Sequence, residues 1–175
     1  MTKTRSIDFS KLGLRDALDL ATIIEEEAKE RYQELADQME LHHNAAAAHF
    51  FRFMHDVEVI HERKLFERRT ALFGKEPRTV DRGMIFDIEA PDYDSVRATM
   101  TPRQALHTAL AAEVKAFEFF EASLPSVTDA DVRELFTELR DEELEHQGLV
   151  QKQITALAPD DAITTEDMGD DPVAQ

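Results

Sequence analysis

The sequence of 175 residues has no cysteine, only 5 glycines and 6 prolines, and 20 basic residues against 37 acidic ones. Without cysteine the chain forms no disulfide, no thiolate metal site and no nucleophilic thiol. Because long stretches contain neither glycine nor proline, the sequence favours long helices. The net charge of −17 at pH 7 argues against nucleic acid or an anionic membrane as a partner.

Long apolar runs are also missing. No run approaches the ~18 apolar residues that can cross a bilayer, and the start, MTKTRSIDFSKLG, contains no hydrophobic signal segment. We therefore expect a cytoplasmic protein with no membrane partner. The length suits one domain, residues 1–158. Residues 159–175 contain six acids and no basic residue, so we expect an acidic, mobile tail there.

Apolar periodicity predicts four helices. Their predicted ranges are residues 14–39, 44–73, 101–125 and 129–158. Asn44 is the expected N-cap of the second helix. The third helix opens on a predicted capping box, in which Thr101 caps, Pro102 takes the first helical position and Gln104 completes the box.

The links between the helices predict their topology. The first and last links are short, so each pair of helices should form an antiparallel hairpin. The middle link, residues 74–100, is long. It can retrace a second helix of ~45 Å, because an extended chain covers ~3.3 Å per residue. The sequence therefore predicts an all-α, antiparallel four-helix bundle with one long crossover, in which the second and third helices run parallel.

Each predicted helix carries an apolar stripe at alternating spacings of three and four residues, and one glutamate interrupts each stripe. These glutamates are Glu25, Glu58, Glu113 and Glu143. On the second and fourth helices a histidine follows one turn later, at His61 and His146. The other stripe positions are Leu14, Leu18, Ala21, Ala28, Tyr32 and Leu35; Ala47, Phe51, Met54 and Leu65; Leu106, Ala109, Ala116 and Phe120; and Val132, Phe136, Leu139 and Val150. Asp141, Glu142 and Glu145 lie off the fourth stripe and are expected to face solvent.

Four buried carboxylates need compensation. Desolvation costs several kcal/mol per ion, nearby like charges add to that cost, and no lysine or arginine lies on the stripes at these levels. Two divalent cations would cancel the four charges, and two neutral imidazoles would add ligands without adding charge. Oxygen-rich sites with one imidazole per metal suit iron(II), with manganese(II) as an alternative. The sequence therefore predicts a site for two metal ions.

The weight of this prediction depends on the combination of residues. A single Glu-x-x-His pair on a helix is usually incidental, because both residue types are common. Two such pairs on apolar stripes, with an inward glutamate on each remaining helix, favour a metal site. Tyr32 and Phe120 are interpreted as core residues, and Tyr32 is also placed to hydrogen-bond a ligand carboxylate. The remaining histidines are interpreted as surface or boundary residues: His42, His43, His49, His55 and His107.

The chain also contains an internal repeat. Residues 15–32 align with residues 103–120, and Glu58-x-x-His61 repeats as Glu143-x-x-His146. The two predicted hairpins are therefore related by a pseudo-two-fold axis. Such symmetry requires the long crossover, because the second hairpin must start from the opposite end of the bundle.

These motifs resemble the ferritin-like superfamily, and most closely the di-iron domain of the rubrerythrin family, over residues 14–157. The matching elements are Glu25-x6-Tyr32 and Glu58-x-x-His61, repeated as Glu113-x6-Phe120 and Glu143-x-x-His146. The resemblance implies bridging and terminal ligands for two metals. Glu58 and Glu143 would bridge; Glu25 and His61 would be terminal ligands of one metal, and Glu113 and His146 of the other.

Two departures from the family pattern matter. Rubrerythrins have an additional metal-binding glutamate one turn after the third-helix ligand, where this chain has Ala116, so a symmetric site is expected. They also carry a four-cysteine rubredoxin module, which is missing here, so an external electron donor is implied. Rubrerythrin-like bundles commonly dimerise, and the crossover segment MIFDIE, residues 84–89, has apolar side chains that need cover. A homodimer is therefore expected, with packing of this segment on its own bundle as an open alternative.

Three functions remain open from the sequence. The first is a di-iron oxidoreductase, a ferroxidase or peroxidase, that oxidises Fe(II) with O2 or reduces hydrogen peroxide. The second is an iron-binding protein for storage or delivery, with little turnover. The third is a structural bundle with a metal or ionic core and no turnover.

Overall fold

The computed structural model describes residues 7–85 and 88–157. The four long helices are α1 Leu14–Leu41, α2 Ala45–Phe73, α3 Pro102–Ser123 and α4 Ala130–Ala156. Three single-turn 3-10 helices occur at Phe9–Lys11, Tyr93–Ser95 and Leu124–Ser126. No strand occurs in this part of the chain, so the all-α prediction is confirmed. The expected acidic tail, residues 159–175, lies outside the described residues.

The second and third helices begin at the N-cap residues that the sequence predicted. Asn44 Oδ1 accepts a hydrogen bond from the backbone N–H of Ala47 at 3.3 Å. The Asn44 amide also donates to the carbonyl of Met100 at 2.7 Å, which ties the α1–α2 turn to the end of the crossover. At α3, the Thr101 hydroxyl accepts from the backbone N–H of Gln104 at 3.1 Å, and the side-chain Oε1 of Gln104 accepts from the backbone N–H of Thr101 at 2.8 Å. Both predicted caps are therefore confirmed.

Replacing Thr101 with alanine is expected to destabilise the fold by about 1 kcal/mol, because the backbone N–H of Gln104 in the first turn of α3 loses its hydrogen-bond acceptor. For a chain of this size the melting temperature should fall by roughly 2–4 °C. Urea and thermal unfolding of the wild type and Thr101→Ala measure the effect. Thr101→Ser keeps the hydroxyl and serves as the control. Equal stability of the alanine variant and the wild type would show that this box does not hold α3.

The crossover, residues 74–101, runs back along α1. Three successive side-chain pairs join the two segments: Arg78 with Glu26, Arg82 with Glu30, and Tyr93 with Glu34. The arginine pairs are bidentate, with N–O distances from 2.6 to 3.1 Å. Because the contacts advance along α1 in the same direction as the crossover, the link carries the chain to the opposite end of the bundle. α2 and α3 therefore run parallel, as predicted.

A buried ion pair fixes the start of the crossover. Arg69 Nε donates to Asp19 Oδ1 at 2.8 Å and so joins α2 to α1. The same guanidinium donates to the carbonyls of Gly74 at 3.0 Å and Glu76 at 2.6 Å. Gly74 adopts φ +59°, a left-handed conformation that glycine takes without strain. The chain therefore leaves α2 in one defined direction.

The apolar crossover residues pack within their own chain. Met84, Ile85 and Ile88 contact the core at the α1 N-terminal end, and Ile85 is almost fully buried. The own-chain alternative is therefore confirmed for these three residues, whereas Phe86 lies outside the described residues. The homodimer stays a prediction.

Light scattering tests the homodimer. Phe53 and Ile60 on α2, and Leu144 and Leu149 on α4, are exposed, and burial of these large apolar side chains would favour association. We expect a particle of about twice the 20.0 kDa of one chain. A concentration series controls for weak association. A particle with the mass of a single chain at all concentrations would exclude the dimer.

Two apolar clusters fill the ends of the bundle. One packs around Leu18, Phe120 and Phe136, and the other packs around Tyr32 and Phe51. The glutamates of the four stripes lie at the level between the clusters. Within the described residues, no helix has the length and apolar character needed to span a membrane.

Candidate metal centre

The four helices bring the stripe glutamates together in the interior. Each of the four is at most 2% exposed: Glu25, Glu58, Glu113 and Glu143. His146 is buried as well, whereas His61 is half-buried at the edge of the site. The 3–4 spacing explains this placement, because each glutamate takes a position that an apolar residue occupies one turn before it. Asp141 and Glu145 are exposed, as expected, whereas Glu142 is half-buried and faces solvent only in part.

A fifth carboxylate joins the site from the crossover. Glu89 is 1% exposed and lies beside Glu25 and Glu143. Sequence reasoning missed it, because the crossover has no helical period that would place a residue inside. The symmetric site expected from Ala116 is therefore not what the structure shows, since Glu89 has no equivalent in the internal repeat. The sequence gives only a weak indication that Glu89 is buried, namely its position between the small or apolar residues Ile88 and Ala90.

The side chains form three overlapping groups of potential ligands in the described part of the chain. Within each group, one ligand atom of every residue lies within 4.8 Å of the others. The groups are Glu25, Glu58 and His61; Glu58, Glu113 and His146; and Glu25, Glu89 and Glu143. Glu58 belongs to both groups that contain a histidine. This is the placement that a bridging carboxylate between two metal ions requires.

The site concentrates unpartnered polar atoms. Among the described residues, every buried side-chain oxygen or nitrogen without a hydrogen-bond partner belongs to it. These atoms are Glu25 Oε2, both carboxylate oxygens of Glu58 and Glu89, Glu143 Oε2 and His61 Nδ1. Buried polar groups in folded proteins are nearly always paired. Carboxylate oxygens and an imidazole nitrogen are also the donor atoms that iron(II) and manganese(II) take, so the residues fit a metal centre.

Glu113 is the one stripe glutamate whose two oxygens both have partners. The Tyr32 hydroxyl donates to Glu113 Oε1 at 3.0 Å. His146 Nδ1 lies 3.0 Å from Glu113 Oε2 and 3.6 Å from Glu143 Oε2. The rings of His61 and His146 face each other with centroids 4.6 Å apart. Tyr32 is fully buried and holds a potential ligand carboxylate, as predicted.

Burial dominates the electrostatics of the acids. It raises the pKa of Glu25 from 4.5 to about 7, against the opposing effects of the neighbouring Glu58 carboxyl and the charge of His146. It also raises the pKa values of Glu58, Glu89 and Glu143 well above their usual range, and the neighbouring carboxylates act in the same direction. Without metal, several of these groups therefore hold protons near neutral pH. Binding of cations must release those protons.

The pKa values of the two histidines shift in opposite directions. Burial, together with the positive charge of His146, lowers the pKa of His61 to about 4, so its imidazole is neutral at pH 7. Burial opposes protonation of His146 as well, but the hydrogen bond and charge of Glu113 outweigh it and raise the pKa of His146. His61 is therefore neutral with an unpartnered Nδ1, whereas metal binding at His146 competes with a proton up to a higher pH.

Removal of the Tyr32 hydroxyl is expected to weaken metal binding. Groups that hydrogen-bond a ligand commonly contribute about 10-fold to 100-fold in affinity, and the lost hydrogen bond costs about 1 kcal/mol of stability. Manganese(II) titration and urea unfolding of Tyr32→Phe measure both effects. Phe51→Leu is the control, because the Phe51 ring centroid lies 6.2 Å from that of Tyr32 and the side chain has no polar group that could hydrogen-bond Glu113. It should lose stability and keep its metal affinity. Unchanged affinity in Tyr32→Phe would contradict the role given to the hydroxyl.

The remaining histidines lie away from the centre. His42, His43, His49 and His107 are exposed, and His55 is half-buried with its Nδ1 3.1 Å from Asp56 Oδ1. Their interpretation as surface or boundary residues is therefore confirmed.

Fold and site define a ferritin-like four-helix bundle with an interior cluster of carboxylates and histidines. The family model described as rubrerythrin matches residues 16–154. The chain therefore belongs to the rubrerythrin family. It is also similar to the crystal structure of an uncharacterized conserved protein from Magnetospirillum magnetotacticum MS-1, with a TM-score of 0.65 and 30% identity over 84% of this chain and 97% of that one. No curated protein matches the sequence.

Proposed function

We propose that the protein holds two iron ions between its four helices and acts as an oxidoreductase toward O2 or hydrogen peroxide. When bound, two Fe(II) ions supply one electron each, which with two protons reduce hydrogen peroxide to two water molecules or O2 to hydrogen peroxide. Glu25, Glu58, His61, Glu113, Glu143 and His146 would hold the metal. Manganese(II) is the alternative ion for this set of ligands.

The proposal rests mainly on one observation. Within the described residues, all buried polar side-chain atoms without a hydrogen-bond partner lie in this one site. An ionic core without metal would need cations against the acids. Lys29, the nearest lysine along α1, pairs instead with Glu62 at the surface of the bundle. The buried guanidinium of Arg69 forms an ion pair with Asp19 and does not compensate the acids of the site. The membership of the chain in the rubrerythrin family supports iron as the compensating charge.

The protein's own residues provide the environment for this chemistry. The apolar clusters on both sides of the site exclude bulk water along the bundle axis. Tyr32 fixes Glu113, and Glu25 and His146, whose pKa values are raised, would release protons when a metal binds. Half-buried His61 marks the side on which the site comes nearest to solvent. Since the chain has no cysteine, the electrons for further turnovers come from a separate donor.

Anaerobic loading with Fe(II), followed by stopped-flow mixing with O2 or with hydrogen peroxide, tests the function. Rapid oxidation that repeats when a reductant is supplied is the expected result. Glu143→Gln should lose this reaction, whereas Glu145→Gln, an exposed carboxylate on the same helix, should keep it. Binding of many irons per chain would indicate storage instead. Absence of any oxidation signal would indicate a structural metal site and contradict the proposal.

A further inference from the structure

We propose that Glu89 is a seventh metal ligand, supplied by the crossover, and that metal binding fastens the crossover to the bundle. This inference rests on the proposed metal centre. It assigns a ligand to a segment outside the four helices. It also assigns the Glu25, Glu89 and Glu143 group to one of the two ions.

The position of Glu89 favours a ligand over a structural acid. Its side chain is 1% exposed, and neither carboxylate oxygen has a hydrogen-bond partner. One of these oxygens lies within 4.8 Å of a carboxylate oxygen of Glu25 and of one of Glu143. A carboxylate in this setting has lost its hydration and faces two groups of the same charge, which is unfavourable without a cation. A metal ion would satisfy all three groups at once.

Two basic side chains hold the backbone directly after Glu89. Lys115 Nζ on α3 donates to the carbonyl of Ala90 at 2.9 Å. Arg31 on α1 donates to the carbonyl of Pro91, and its guanidinium carbon lies 3.6 Å from the centroid of the Tyr93 ring. The crossover is thus fixed to two helices within two residues of Glu89. This clamp, formed by Lys115 and Arg31, keeps the carboxylate in the interior.

The arrangement predicts a structural response to metal. An ion bound by Glu25, Glu89 and Glu143 would connect α1, α4 and the crossover at one point in the interior. Local opening of the crossover would then move Glu89 away from the ion and break its bond to the metal. Metal binding should therefore slow amide exchange in residues 88–96, a readout that is independent of any redox reaction.

The test uses manganese(II) under anaerobic conditions with the full-length protein. The wild type should bind two ions per chain. Glu89→Ala should bind one of the two manganese ions at least about 10-fold more weakly. That is the smallest loss of affinity expected when a group that only supports a ligand is removed. Glu89→Gln removes the charge and keeps the shape of the side chain. It should also bind one of the two ions more weakly than the wild type does. Asp94→Asn replaces an exposed carboxylate of the same segment and should match the wild type. Hydrogen exchange of residues 88–96 should slow with manganese in the wild type and Asp94→Asn, and not in Glu89→Ala.

A double-mutant cycle tests the clamp. If Lys115 acts only by positioning Glu89, Lys115→Met should weaken manganese binding in the wild type and have no further effect in Glu89→Ala. Equal and additive effects of Lys115→Met in both backgrounds would overturn its positioning role.

The outcomes separate this inference from the proposed function. Two manganese ions bound with wild-type affinity by both Glu89 variants would overturn the assignment of Glu89 and leave the four-helix centre intact. A wild-type protein that binds no divalent ion would overturn both. Selective weakening of one ion in the Glu89 variants, with loss of protection in the crossover, is the result that supports the inference.

Discussion

Glu58→Ala is expected to abolish binding of a metal pair. Glu58 is fully buried, both of its oxygens are unpartnered, and it belongs to both groups that contain a histidine. A bridging ligand serves two ions, so its loss should cost more than the 10-fold to 100-fold that loss of a supporting residue costs. Glu143→Ala should also weaken binding strongly. Anaerobic Fe(II) titration with a chromogenic chelator measures the number of ions and their affinity.

Two controls accompany this measurement. Glu145→Ala removes an exposed acid two positions from Glu143 and should leave binding unchanged. The metal-free Glu58→Ala protein should be folded, and no less stable than the metal-free wild type, because a buried carboxyl leaves a crowded acidic cluster. Two equivalents of iron bound by Glu58→Ala at wild-type affinity would show that the ligand assignment is wrong.

The metal-free protein is expected to lose stability as pH rises toward 8. Burial raises the pKa values of Glu25, Glu58, Glu89 and Glu143, so the folded chain keeps protons that the unfolded chain has released. Stability then falls with pH by about 1.4 kcal/mol per pH unit for each such proton. His146, with its raised pKa, acts in the same direction.

His61 acts in the opposite direction over part of this range. Its pKa is lowered from 6.5 to about 4, so the folded chain binds less proton than the unfolded chain between these values, and His61 adds stability as pH rises through them. The stability of the metal-free protein should therefore fall most steeply above about pH 6.5, where His61 no longer opposes the decline. For Glu25, which titrates at about 7 in the folded protein, the loss extends from its ordinary value of 4.5 up to about 7.

Saturating manganese(II) should reverse the trend, because the ions replace the protons and bind more tightly as pH rises. At a hundredfold excess over Kd, an ion that binds only the folded state adds about 2.7 kcal/mol, which raises the melting temperature by roughly 5–10 °C. Thermal melts of the metal-free and loaded protein from pH 5 to 8 measure both curves. Repetition at 0.5 M salt controls for repulsion at the acidic surface, which salt screens. Melting curves that coincide with and without metal at every pH would contradict a metal-filled acidic core.

The helical part of the site was predictable because helix geometry is periodic. Once Val132, Phe136 and Leu139 define a buried line, Glu143 and His146 must lie on it. Tyr32 followed in the same way. The folded structure places all of these side chains in the interior, and the capping signals at Asn44 and Thr101 locate the helix starts to the residue.

The crossover was predictable in direction but not in detail. The two hairpins required a link of bundle length, and the structure shows it running along α1. Whether Glu89 faces the interior depends on tertiary contacts, above all on the bonds that Lys115 and Arg31 make to carbonyls in this segment. A carbonyl acceptor has no sequence signature, so no pattern could reveal these bonds. The buried pair of Asp19 and Arg69 also escaped prediction, because the crossover covers a face of α1 that lies off the apolar stripe.

Anomalous scattering at the iron edge, from crystals of the Fe(II)-loaded protein, tests the central claim most directly. The claim predicts two peaks in the interior, about 3.5–4 Å apart as in other two-metal sites. Glu58 should lie between the two, and each should have one histidine ligand, His61 or His146. A single peak, or iron bound only at surface carboxylates, would contradict the account of a dinuclear centre.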